Sequence, residues 1–144
     1  PLIRIHGDCH RGNILDRPGE GLMAIDFDEM MTGPPVQDLW MLLPDHAGRS
    51  RREITLLLEG YELFREFPYP SLRLIEPLRF MRIVYFLAWT ARQAGDYAFP
   101  ANHPDWGSEN FWLHEISDLN HQYQVIMEHT VAWEEGRFFG EGEG

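Results

Sequence analysis

Apolar positions along this chain come first as short runs and then as helical stripes. Leu2 to Ile5 is a brief apolar run with β-branched residues, and Asn13 to Asp16 and Leu22 to Asp26 are two more. Arg17-Pro18-Gly19-Glu20-Gly21 separates the last two. Pro-Gly between apolar runs is a turn signal, so the pattern predicts a β-hairpin over 13–26. From Pro34 onward the period becomes helical. Pro34-Pro35 opens a short helix carrying Val36, Leu39, Trp40 and Leu43, which Pro44 ends. Over 51–67, Ile54, Leu57, Leu58, Tyr61 and Phe64 recur at spacings of three and four, an amphipathic stripe stopped by Pro68 and Pro70. Residues 71–94 predict a long, very apolar helix capped by Gly95. Pro77, a turn inside it, should kink that helix or shift its start. Residues 97–107 form a loop. Ser108 to about Ala132 is the last helix, with Trp112, Ile116, Leu119, Tyr123 and Ile126 on one face. Trp40, Trp89 and Trp112 lie on apolar stripes and are expected in the core. The layout is α+β and mostly α: a small β unit, then about four helices. It is not an alternating βαβ series, so a doubly wound sheet is not expected.

Composition narrows the class. The 144 residues, 44% of them apolar, suit one domain with a single core. Asp plus Glu total 23 against 12 Arg and no Lys, a formal charge of −11. A protein that binds nucleic acid by neutralising phosphates carries the opposite balance, so no nucleic-acid partner is expected. The most apolar run, Ile83 to Trp89, falls far short of the roughly 20 residues a membrane span needs. The opening also lacks a signal-peptide pattern, so no membrane partner is expected. One cysteine, Cys9, excludes an internal disulfide framework, and a cytoplasmic location is the expectation. Cys9 itself reads as a small filler. Glu134, Glu135, Glu141 and Glu143 among glycines read as a disordered acidic tail over 134–144, leaving 1–133 as the folded unit.

The sharpest chemical signal is His6-Gly7-Asp8-Cys9-His10-Arg11-Gly12-Asn13, followed by Ile25-Asp26-Phe27-Asp28. These polar residues sit at the ends of apolar strands, where a scaffold can hold them rigidly. If 13–26 is a hairpin, Asn13 and Asp26 lie near its same open end. An amide oxygen and a carboxylate there suit a hard cation such as Mg²⁺, which takes oxygen ligands and keeps waters and substrate phosphates for the rest. Asp8, one loop away, could accept a proton from a hydroxyl or orient it. Asp28 either touches a second metal or is solvated. His6 packs under the loop, and His10 orients it by a hydrogen bond. His103, His114, His121 and His129 show no ligand spacing.

The arrangement resembles the protein-kinase-like phosphotransferases, in which a catalytic Asp precedes an Asn by five residues and a metal-binding Asp follows in a second segment. Gly7 in place of Arg, and Phe27-Asp28 in place of Phe-Gly, look like the aminoglycoside phosphotransferase and choline/homoserine kinase branch, whose motif is His-Gly-Asp-x-His-x-x-Asn. The segments 33–43, Ile75-Glu76-Pro77-Leu78-Arg79 and Tyr85-Phe86-Leu87-Ala88-Trp89 are similar to bacterial members of that branch that phosphorylate Ser/Thr in proteins. The resemblance covers about residues 1–130. It implies the C-terminal lobe of a kinase that uses ATP as co-substrate with Mg²⁺. Asp8 would be the catalytic Asp, and Asn13 and Asp26 the Mg²⁺ ligands. Asp38 would be the buried Asp that anchors the catalytic loop, alongside the structural His6 and His10.

The acceptor implied is a protein Ser/Thr, with a small hydroxyl compound of the aminoglycoside, choline or homoserine type as the alternative. Asp96, Asp105 and Glu109 offer few carboxylates for a polycationic acceptor. The family also implies a nucleotide-covering lobe before residue 6. With no initiating Met and no Lys to pair with the α/β-phosphates, these 144 residues are expected to be an incomplete kinase, inactive alone. Two other classes stand further off. A two-metal phosphoesterase could draw on His6, Asp8, His10, Asp26 and Asp28, but no later His motif completes its set. An inactive pseudokinase module is opposed by the intact Asp8, Asn13 and Asp26.

Overall fold

The computed structural model describes residues 2–138. Four short strands come first: β1 (Ile3–Ile5), β2 (Ile14–Arg17), β3 (Gly21–Ala24) and β4 (Met31–Gly33). Five helices follow: α1 (Val36–Trp40), α2 (Arg51–Glu62), α3 (Ile75–Arg92), α4 (Phe99–Asn102) and α5 (Glu109–Glu134). The chain is therefore α+β and mostly helical, as the patterning indicates.

The strands form two antiparallel pairs. The expected hairpin is β2–β3, in register Ile14↔Ala24 to Arg17↔Gly21. Its tight turn needs left-handed backbone, which Gly19 (φ 81°) and Gly21 (φ 88°) supply. The second pair, β1–β4, was not visible in the pattern, because Met31–Gly33 is only three residues long. Ile3 pairs with Gly33 and Ile5 with Met31. The segment from Gly7 to Asn13 thus leaves one pair and enters the other. The segment from Ile25 to Met30 returns. Both chemical segments are loops held at each end by strands.

Pro35 precedes α1, and Val36, Leu39 and Trp40 bury its inner stripe at i, i+3 and i+4. They join Leu43, Ala47, Ile54, Leu58, Phe67, Leu72, Ile75 and Phe138 in one core. Each such fully buried aliphatic or aromatic side chain contributes about 1.5–3 kcal/mol relative to exposure. α2 stops at Glu62 rather than continuing to 67, since Phe67 turns back into the core between Tyr61 and Tyr69. A 3₁₀ stretch, Tyr69–Leu74, precedes α3. Pro77 consequently falls in the first turn of α3, where its missing N–H costs no helical hydrogen bond, and α3 runs on from there. Ser108 caps α5, its Oγ accepting the Phe111 N–H at 3.1 Å. Within the stretch expected as a tail, Glu134 is the last residue of α5 and Phe138 is buried, while 139–144 lie outside the described residues.

One core expectation is corrected. Trp40 is buried, but Trp89 is 48% exposed and Trp112 44% exposed. α3 is apolar on more than one side, and α1 and α5 cover only part of it. Met81, Tyr85, Phe86 and Trp89 remain on an open face. Among the described residues, no helix is long and apolar enough to cross a membrane.

Candidate active site

The loop from His6 to Asn13 is gripped from α1. Asp38 Oδ2 accepts the His6 backbone N–H at 2.7 Å, and its Oδ1 accepts that of Gly7 at 2.9 Å. The neighbouring Gln37 takes the next peptide unit, donating its Nε2–H to the Gly7 carbonyl at 3.3 Å, and is itself held by the Trp40 indole N–H at 3.1 Å. α1 thus presents its apolar stripe to the core and two polar side chains to the loop. Gly7 is needed at the bend: its φ is 86°, and a Cβ there would collide with the Glu29 carbonyl.

His6 is buried and committed. Its Nε2 lies 2.8 Å from the Ile25 carbonyl, and its Nδ1 accepts the Asp8 N–H at 3.3 Å. A single neutral tautomer, with the proton on Nε2, satisfies both bonds. The Phe27 ring packs against it at 4.8 Å. His6 therefore ties the Asp8 loop to the segment leading into Asp26. His10 Nδ1 accepts the Gly12 N–H at 3.0 Å, which caps the 3₁₀ turn Arg11–Asn13, and its Nε2 sits 3.5 Å from Asp8 Oδ2.

Asn13 is buried and meets Asp8 directly. Its Nδ2 donates to the Asp8 carbonyl at 2.9 Å and lies 3.3 Å from Asp8 Oδ2. That use of the NH₂ group fixes the amide so that Oδ1 is the side left for another partner. The Asn13 carbonyl accepts the Ile25 N–H at 2.9 Å, which places Asp26 one residue beyond the closing bond of the hairpin. Asp26 is exposed and has φ 61°, a left-handed conformation rare outside glycine. Strained non-glycine backbone of this kind clusters at functional sites. Asp28 is exposed on the same segment, with no hydrogen bond or ion pair among the described residues.

One amide oxygen and one exposed carboxylate at the same hairpin end are the donor types a hard cation takes, so Asn13 and Asp26 could hold one. Among the described residues there is no group of three or more His, Cys, Asp or Glu placed to hold a metal ion by themselves. Cys9 is half-buried. Burial, and then the carboxylates of Asp38 and Asp8, push its thiol up, which disfavours the nucleophilic thiolate.

Three residues that sequence reasoning gave no role stand out. Gln37 is the loop's second clamp. Arg82, on α3, brings Nη2 within 2.7 Å of Asp8 Oδ1. Glu76, completely buried, gathers Ala47 N–H (2.7 Å), Gln122 Nε2 (2.8 Å), Arg79 Nε (3.2 Å) and His46 Nδ1 (3.2 Å). Burial pushes the Glu76 carboxyl up, but these hydrogen bonds and the Arg79 charge outweigh it and hold the group below its ordinary value. Glu76 thereby joins α3, α5 and the turn at 45–47. Its only trace in the sequence is Glu76 and Arg79 at i and i+3.

The chain is similar to known proteins over most of its length. Stress response kinase A of Escherichia coli (strain K12) is 46% identical over 127 residues. Stress response kinase A of Salmonella typhi, and the serine/threonine protein kinase RdoA of Salmonella typhimurium, are each 43% identical over 126 residues. In each comparison the match covers 88% of this chain and 38% of the relative, so the chain spans well under half the length of the curated relatives it matches. The family model described as phosphotransferase enzyme family, APH, matches residues 1–75, a span that contains every site residue from His6 to Asp38. The chain belongs to that phosphotransferase enzyme family.

Proposed function

We propose that this chain is the catalytic part of a cytoplasmic kinase that moves the γ-phosphoryl group of ATP to a hydroxyl, the acceptor being Ser or Thr of a protein. The observation that carries this reading is the joining of Asp8 to Asn13 at the hairpin end from which Asp26 projects. In this role Asp8 receives the acceptor proton. The acceptor oxygen forms a bond to the γ-phosphorus, the bond from that phosphorus to the β–γ bridging oxygen breaks, and ADP departs. Asn13 Oδ1 and the Asp26 carboxylate would hold Mg²⁺, which when bound supplies charge neutralisation at the phosphate oxygens. The protein's own work is positional. α1 fixes Gly7 through Asp38 and Gln37, and His6 and His10 fix the flanks of Asp8. Well-placed reactants account for much of the acceleration in such reactions.

The choice of a protein acceptor rests on the relatives named as stress response and serine/threonine protein kinases. A two-metal phosphoesterase fits poorly, since both His6 nitrogens are already engaged inside the loop. The test is Mg²⁺-dependent ATP binding by calorimetry on the full-length enzyme and its Asp26→Ala variant. Loss of the Mg²⁺-dependent part of the affinity is expected. Equal affinity in variant and wild type would refute Asp26 as a ligand.

A further inference from the structure

Arg82 stands out among the basic residues near the site. Its neighbour one turn back, Arg79, is fully employed in the fold. Arg79 Nε bonds Glu76 Oε2 at 3.2 Å, Nη2 bonds the Asp45 carbonyl at 3.0 Å, and the guanidinium lies 4.9 Å over the Trp40 ring. Arg82, three residues on and on the same side of α3, makes none of these contacts. Among the described residues its one polar contact is Asp8, with Nη2 2.7 Å from Oδ1. That oxygen is buried and receives no aligned hydrogen bond, so the pair is a charge contact rather than a locked fork. The other carboxylate oxygen faces Asn13 at 3.3 Å and His10 at 3.5 Å.

Asp8 therefore has one oxygen set by the metal-side residues and the other set by α3. The Asp8–Arg82 pair lines a groove of about 550 Å³ between the β1–β4 pair and α3, walled by Gln37, Met81, Tyr85 and Trp89. A guanidinium carries five N–H donors in a planar fork. With a single contact made, the others are available to a phosphoryl or hydroxyl oxygen arriving beside Asp8.

We propose that Arg82 is the positioning residue for Asp8 on the acceptor side. It holds the carboxylate by Oδ1 and keeps it in the orientation that receives the acceptor proton. The inference rests on the kinase reading above, and it adds a residue from a helix that follows the catalytic segment by more than forty positions. A structural role would make a different prediction. Arg79 is the arginine that ties α3 to the fold, whereas Arg82 is partly exposed and, among the described residues, makes its one polar contact with Asp8.

The experiment uses the full-length enzyme with Arg82→Gln, Arg82→Lys, Asp8→Asn and the double variant Asp8→Asn/Arg82→Gln. Turnover, KM for acceptor, KM for ATP and thermal midpoint are measured for each. Arg82→Gln is expected to lower kcat by about 100-fold, the scale on which small misplacements act. KM for ATP and the thermal midpoint should stay near wild type. Arg82→Lys should recover part of the loss, because it restores the charge without the fork. The double variant should be no slower than Asp8→Asn. A kcat of Arg82→Gln within about threefold of wild type, a loss confined to KM for ATP, or a double variant whose losses multiply would each overturn the proposal. If Asp8→Asn itself keeps full turnover, the kinase reading falls. If only Arg82→Gln does, the reading stands and the role of Arg82 falls.

Discussion

Replacing Asp38 by Ala should damage the fold of the catalytic loop before it damages chemistry. The carboxylate accepts two backbone N–H groups, from His6 at 2.7 Å and Gly7 at 2.9 Å, and both residues are buried. Removing an acceptor from a buried donor costs about 1–3 kcal/mol per group. Asp38→Ala should therefore destabilise by about 2–6 kcal/mol, a large share of the roughly 5–15 kcal/mol that holds a domain together. Asp38→Asn is the finer probe. Its amide oxygen can keep one N–H, but its NH₂ group then faces the other, so about half of the loss should remain. Turnover should fall with both variants, because Asp8 follows Gly7 directly and a loop released at Gly7 no longer holds Asp8 in place. The assay is urea unfolding of the full-length variants, with activity measured on the folded fraction. Unfolding midpoints equal to wild type in both variants would refute the clamp, whatever happened to activity.

Glu76→Ala should be severely destabilising, by about 3–5 kcal/mol, because it leaves the buried Ala47 N–H without its acceptor and Arg79 without its charge partner. Glu76→Gln should cost less, and an unfolding midpoint for Glu76→Ala equal to wild type would contradict the buried network. Stability should also fall on acidification. Glu76 is held below its ordinary value of 4.5, and burial holds His129 below 6.5, so in both cases the unfolded chain takes up protons first. The His129 contribution should begin to fade below about pH 6.5 and that of Glu76 below about pH 4.5, each lost as pH passes through the folded-state value. A thermal midpoint that rises from pH 7 to pH 4 would contradict this sign.

Much of the candidate site's arrangement was legible because it is local. Asp8 and Asn13 lie five residues apart in one loop, and Pro18-Gly19 marked the hairpin that carries Asp26 to the same end. Asp38 was reached through the family pattern. What it does, accepting two N–H groups from a loop thirty residues earlier, is a property of the packed fold. Gln37, Arg82 and Glu76 were illegible for a related reason. Each acts on a partner more than twenty-five residues away, and no period or spacing in the sequence reports such a contact. β4 was missed because three residues carry no alternation to read. Trp89 and Trp112 were misplaced because an apolar stripe tells that a face is apolar, not which neighbour covers it. α3 has more apolar surface than α1 and α5 can meet.

The most direct test of the central claim is a kinetic and binding comparison of wild type with Asp8→Asn in the full-length enzyme. Asn preserves the shape of the side chain but cannot take a proton from the acceptor. Phosphoryl transfer should drop by about 10²–10⁴-fold, the usual contribution of a positioned acid–base group. Mg·ATP affinity should stay near wild type, since Asn13 and Asp26 are untouched. A variant that retains more than about a tenth of wild-type kcat would contradict the assignment of Asp8, against the loss expected for such a group.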